Sequence, residues 1–262
     1  MKTRACAVAG MFYPGDPAHL GQLLAKWFGE SKVTGNSLGI VSPHAGYVYS
    51  GEVAASAFSA ISPAFSGTFV VIGPSHRGYL TSVSQIPWET PIGVVENDPE
   101  FVEALGIEVD EASHQNEHSI EVQVPFIRYR FPGAKLAPVL MGEQDLASAR
   151  MLAEKIVSAV NRTKRDVRIV ASSDFSHYVR HETARTNDIY AIESLVKLDI
   201  DEFYRRIGER DVTACGYGPI AAMVVACEKM GAKTSRLIQY ATSGDVTGDR
   251  REVVGYAAIS VI

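Results

Sequence analysis

Three apolar, strand-like runs each end in a histidine. "LGIVSPHAGY" puts His44 just beyond one run, "TFVVIGPSH" puts His76 beyond a second, and "VRIVASSDFSH" puts Asp174 and His177 beyond a third. Imidazole is the commonest protein metal ligand and the usual acid/base near neutral pH. In an open α/β sheet, ligands bind in the crevice outside the carboxyl ends of the strands. Strands that carry imidazoles to that one edge predict a single site.

The local sequence around each histidine supports this and leaves alternatives. Pro43 biases Ser42 toward extended geometry and Gly46 permits a sharp turn, so His44 lies on a constrained strand-to-helix connection. His76 has the same Gly/Pro framing in "GPSHRGY". Taken singly, each is as much at home in a surface loop or a helix cap. Matching strand-end positions favour a shared site. Beside His177, Asp174 is a carboxylate that could orient the imidazole or accept its proton. Ser172, Ser173, Asp174 and Ser176 are also good helix caps. Asp174 thus stays open between metal contact, histidine orientation and capping. His114 and His118 lie with Glu117 and Glu121 in "SHQNEHSIEVQ". His118 and Glu121 are i, i+3 neighbours, a His/carboxylate spacing used in di-iron bundles, but those need two such pairs. This cluster is expected to support the site or touch substrate, the alternative being an ordinary solvated surface. His19 is expected to be structural and His181 a solvated helix start.

Cys215 lies in "TACGYGPIAAMVVA", a Gly-rich turn before a helix, where the helix's positive end favours thiolate. Cys227 reads as a small core hydrophobe and Cys6 as structural. His44, His76 and Cys215 would make a three-ligand site with an open position, as a catalytic metal needs. The mixed N/S set suits zinc, copper or iron, and His177 could serve as base. A rival assembly is a metal-free Cys215–His177–Asp174 nucleophile arrangement. Spacing in sequence does not separate the two.

Composition bounds the rest. The chain has 262 residues, 46% of them hydrophobic, with no linker-like stretch and no internal repeat. One domain over 1–262 is expected. The net charge is −5 with both signs interspersed, unlike the concentrated basic surface of a nucleic-acid binder. No apolar run approaches the roughly 18–20 residues needed to cross a bilayer. Pro14, Gly15 and Asp16 interrupt any signal-peptide pattern, so a cytoplasmic protein is expected. Three cysteines without a CxxC pair argue against a disulfide framework or a zinc knuckle.

Periodicity and cap residues predict helices over 16–29, 51–61, 98–104, 145–161, 183–197, 200–208 and 218–230. A helical stretch from 117 to 131 is expected to kink at Pro125. Strands are predicted at 38–42, 68–72, 80–86, 92–95, 135–140, 167–172, 235–241 and 253–261, the last two joined by a tight "SGDVTGD" connection. Largely alternating strands and helices give an α/β class: a mostly parallel or mixed central sheet with helices on both faces.

Six collinear blocks then carry a resemblance over nearly the whole chain: "AGMFYPGD" at 9–16, "SPHAGYVYSG" at 42–51, "VIGPSH" at 71–76, "EHSIEVQVPF" at 117–126, "SSDFSHY" at 172–178 and "CGYGPI" at 215–220. The chain resembles the Memo family, the class III extradiol dioxygenase-like proteins. The resemblance implies a single extradiol-dioxygenase-like α/β domain with a metal-competent pocket. In the dioxygenase relatives, two histidines and a glutamate bind non-haem iron and a further histidine is acid/base. By that likeness His44 and His76 take the histidine-ligand positions, Cys215 the third ligand's place, and His177 the acid/base position; from the residues themselves, Asp174 is expected to orient His177 and His118 to face the same pocket. Cysteine for carboxylate departs from the ring-cleaving triad and is shared by the Memo family. The implied cofactor is one divalent transition metal, iron or copper before zinc. The implied ligand is a small molecule or a peptide, with neither nucleic acid nor membrane as partner. Three functions compete: a metal-dependent oxidoreductase on a small, aromatic or diol-like substrate; a binding or redox-signalling module keeping an enzyme-like pocket; and a metal-free cysteine hydrolase.

Overall fold

Cap residues start the helices where the sequence places them. Asp16 accepts a hydrogen bond from the His19 N–H at 2.8 Å and Pro17 fills the first turn of α1 (Pro17–Glu30). The computed structural model describes residues 2–262. After α1 come β1 (Gly39–Ser42), α2 (Tyr47–Ser59), β2 (Thr68–Pro74), β3 (Ser82–Val83), β4 (Trp88–Thr90) and β5 (Gly93–Val95). Then follow α3 (Pro99–Leu105), α4 (Glu111–His114), α5 (His118–Glu121), α6 (Val124–Arg130), β6 (Lys135–Met141) and α7 (Leu146–Thr163). The chain closes with β7 (Val167–Ser172), β8 (His177–Val179), α8 (His181–Val196), α9 (Ile200–Glu209), α10 (Tyr217–Lys229), β9 (Ser235–Thr242), α11 (Ser243–Thr247) and β10 (Val253–Val261).

The main sheet runs β3-β6-β2-β7-β1-β10-β8, with β9 also paired to β10. The central strands β6, β2, β7 and β1 are parallel, whereas β10 is antiparallel to β1, β8 and β9. The sheet is therefore mixed, as the sequence suggests. Successive strand residues face opposite sides. Val41, Val70, Ile72, Ile169 and Ala171 join a core with residues of α3, α7, α9 and α10. Ile40, Phe69, Val71 and Val170 join the opposite core with Leu24, Phe58 and Phe126. Helices thus cover both faces. Among the described residues, no helix is long and apolar enough to cross a membrane.

Several boundaries depart from expectation. The second helix begins at Tyr47 rather than 51. Gly51 lies inside it, because a Cβ there would come 2.2 Å from the Trp27 ring; the glycine serves the α1–α2 contact and not a turn. The 117–131 stretch breaks into α5 and α6 before Pro125, which sits in the first turn of α6, where a missing N–H costs nothing. The "SGDVTGD" connection contains α11, closed by a reciprocal Thr242–Asp245 capping box. The expected 80–86 strand shrinks to β3. His181 begins α8 but is buried, with Nδ1 2.9 Å from Thr242 Oγ1, so it is not the solvated residue the sequence predicts. His19 is exposed on α1.

Candidate metal centre at the strand ends

Strands β2, β7 and β1 are parallel neighbours, so His76, the Asp174–His177 turn and His44 arrive at the same edge of the sheet. Helix α5 brings His118 there and the approach to α10 brings Cys215. Two glycines allow this crowding. A Cβ at Gly73 would lie 2.3 Å from Ser119 Oγ, so glycine lets α5 sit on β2. A Cβ at Gly216 would lie 2.3 Å from the Ser172 carbonyl, so glycine lets the Cys215 turn approach the end of β7.

His44, His76 and His118 each offer a ring nitrogen, and these atoms lie within 4.8 Å of one another. The His44 ring stands edge-on to the other two, at centroid distances of 5.2 and 5.4 Å, while His76 and His118 stack at 4.6 Å. The second nitrogen of each ring is already engaged. His44 Nδ1 lies 2.9 Å from Ser172 Oγ. His76 Nδ1 lies 3.0 Å and His118 Nδ1 3.5 Å from Glu117 Oε1. Burial would raise the Glu117 carboxyl, but hydrogen bonds from His76 and the Ser119 N–H, with the charges of His76 and His118, bring it down to about 2. It is therefore an anion that hydrogen-bonds the His76 ring and faces that of His118 at 3.5 Å. Burial, then the neighbouring imidazoles, lowers the pKa of His44, and burial followed by His76 lowers that of His118. Three imidazoles whose ring nitrogens converge in this way are a donor set that could hold a metal ion.

The other candidates lie close by in different roles. Cys215 Sγ is 3.1 Å from His44 Nε2, outside the tight trio of imidazoles. Burial, then the Asp174 carboxylate, pushes the thiol pKa up, so the thiolate expected from the helix start does not form by itself. Asp174 is buried and its Oδ1 accepts the backbone N–H of His44 at 2.8 Å and of Ala45 at 3.3 Å. Burial raises its carboxyl to about 6 against the pull of those donors and of His177. The expectation that Asp174 fixes the His177 ring gives way here. His177 Nδ1 lies 3.0 Å from the Thr213 carbonyl, an acceptor only, so Nδ1 carries the hydrogen and Nε2 is free. The thiol–imidazole pair is Cys215–His44 and not Cys215–His177.

Glu121 is not a partner for His118 at a metal. It accepts Arg4 Nη1 at 2.7 Å, the Ala7 and Val8 N–H groups and the Tyr13 hydroxyl, and so binds the N-terminal arm to α5. Phe12 of that arm packs on the His118 ring at 4.8 Å. Sequence reasoning placed Glu117 in a polar cluster but missed its double hold on His76 and His118. The i, i+1 spacing of Glu117 and His118 gives no hint of a contact with a loop 41 residues earlier. His114 is fully buried against Trp88, away from the trio. Cys6 is half-buried with Sγ 3.2 Å from the Glu89 carbonyl, and Cys227 is in the core.

The sequence model of the family described as "Memo-like protein" matches residues 4–260, and so takes in every residue of this edge. The chain belongs to the Memo family. It is 46% identical over 265 residues to a "MEMO1 family protein" of Methanococcoides burtonii, covering 98% of this chain and 99% of that one. Family proteins of Methanosarcina acetivorans and Archaeoglobus fulgidus are each 42% identical, covering 100% of both chains in the first case and 96% and 97% in the second. This Memo-family chain thus matches these relatives across the arm, the strand ends and α10 alike.

Proposed function

We propose that this Memo-family chain is a metal-dependent oxidoreductase acting on a small, aromatic or diol-like substrate at the strand-end pocket, with iron or copper preferred to zinc. The convergence of ring nitrogens from His44, His76 and His118 within 4.8 Å carries the reading. The donor set fits such an ion: Nδ1 of His44 faces Ser172, and Nδ1 of His76 and of His118 faces Glu117. His44 and His76 are common to both ligand sets considered. His118 and Cys215 are the two candidates for the third place, and the thiol already adjoins His44. Bound iron or copper supplies Lewis acidity and one-electron chemistry that side chains lack. His177, with Nδ1 held by Thr213, takes or returns a proton at Nε2. Asp174 holds the His44 backbone in place.

Metal content and oxygen uptake after loading with Fe(II) test the reading. Wild-type protein should carry one ion per chain and His44→Ala none. His177→Ala should keep most of the metal and lose substrate-dependent oxygen uptake. Comparing His118→Ala with Cys215→Ser identifies the third ligand. A wild-type chain that retains no metal ends the proposal; a His177→Ala chain that loses metal as fully as His44→Ala shows His177 to be a ligand instead.

A further inference from the structure

We infer that Ser172, with its hydrogen-bond polarity set by Gln123 and the Ser119 carbonyl, is a positioning residue that locks His44 in the tautomer with hydrogen on Nδ1 and a bare Nε2. The carbonyls of Pro43 and Ser119 can only accept. The Pro43 carbonyl lies 2.9 Å from the Gln123 amide, so the amide nitrogen must face it. The second hydrogen of that nitrogen reaches Ser172 Oγ at 2.8 Å, while Gln123 Oε1 accepts the Ser42 hydroxyl at 2.8 Å. Ser172 has one hydrogen to give. The Ser119 carbonyl lies 2.6 Å from its Oγ, and two oxygens at that distance repel unless a hydrogen lies between them. The Ser172 hydroxyl therefore donates to Ser119, and only lone pairs remain for its other neighbours. His44 Nδ1, at 2.9 Å, must be the donor. A neutral imidazole carries one N–H, so Nε2, beside Cys215 Sγ at 3.1 Å, is left as a lone pair.

Every member of the chain is buried: Ser42, Ser119, Gln123 and Ser172 are each 0% exposed and His44 is 2% exposed. Water is shut out of the relay and does not compete for these hydrogens. The relay also joins separate elements. Ser42 and Pro43 come from the end of β1, Ser172 from the end of β7, and Ser119 and Gln123 from the segment that carries His118. The Ser119 N–H bonds Glu117 Oε1 at 2.9 Å, so one turn of chain sets the polarity at His44 and braces the carboxylate that holds the other two rings. For a metal-binding role the inference rests on the proposed function; the tautomer itself does not.

Imidazole 15N NMR of the metal-free protein at neutral pH tests it. His44 Nδ1 should give a pyrrole-type signal and Nε2 a pyridine-type signal. Ser172→Ala should move the ring toward the Nε2–H form and weaken Co(II) binding about 10–100-fold, and Ser172→Thr, which keeps the hydroxyl, should restore both. A pyridine-type Nδ1 in the wild type, or a Ser172→Ala ring with unchanged signals, overturns the inference. If Ser172→Ala fails to fold, the wild-type signals alone decide. A wild type that takes no Co(II) counts against the proposed function, while the ring signals still decide the tautomer.

Discussion

One carboxylate, Glu117, holds two of the three imidazoles, and it does so from a position that is 1% exposed. A ligand imidazole depends on the partner of its other nitrogen for orientation and basicity. Glu117→Gln keeps the size of the side chain but removes the charge that His76 and His118 face. The expected outcome is a folded protein whose metal affinity falls about 10–100-fold, read by competition with a chelator of known affinity. Wild-type affinity in this variant would mean that the two rings are held by packing, with Phe12 and the His76–His118 stack sufficient. At this scale the sequence names the histidines because their types announce the chemistry. It does not name their partners, since Ser172, Gln123 and Glu117 are ordinary polar residues until the fold places each against a ring nitrogen.

At the scale of elements, the N-terminal arm is what fastens α4 and α5 to the sheet edge. Arg4 lies over the Trp88 ring at 4.0 Å, donates to the carbonyls of His114 and Glu117, and pairs with Glu121 at 2.7 Å, all in buried surroundings. Removing one member of a buried ion pair strands the other charge without solvent, at a cost of about 3–5 kcal/mol. Arg4→Ala should therefore lower the unfolding free energy by that amount, with a lower urea midpoint, and loosen His118 together with it. Denaturant unfolding and metal titration check the two effects; a loss below about 1 kcal/mol would show that the pair behaves as a solvated one. The helices of this region were the least legible. Residues 117–131 carry one continuous apolar pattern, and only the seating of α5 on β2 decides that it breaks into two helices.

Across the whole molecule, a further buried carboxylate ties the sheet to α8. Asp188 is 0% exposed and accepts the Ser176 hydroxyl at 2.5 Å and the Tyr240 hydroxyl at 2.7 Å. Gly255 makes room for it, since a Cβ there would meet Asp188 Oδ2 at 2.1 Å. Burial raises its carboxyl to about 6 against those hydrogen bonds, from an ordinary value of 3.8. Between these values the folded state binds the proton more tightly than the unfolded one. Stability from this group is thus full below about pH 4 and is lost as pH rises through 6, by up to about 3 kcal/mol. Asp188→Asn should lack that decline, and unfolding curves of the two proteins from pH 4 to 7 measure the difference; parallel curves would sink the assignment. Asp174, also raised to about 6, keeps its own slope in both. The class of fold follows from the sequence alone, because apolar period, caps and Gly/Pro turns are local properties of the chain. So does the strand-end placement of His44 and His76, each two residues past a parallel strand, because a residue there has little choice of edge. The make-up of the cluster does not follow. Tertiary structure brings His118 to His44 and His76, turns Glu121 toward Arg4 and pairs Cys215 with His44. Those contacts span up to 171 residues of chain, and only the packing of α5, α10 and the N-terminal arm on one edge of the sheet determines them.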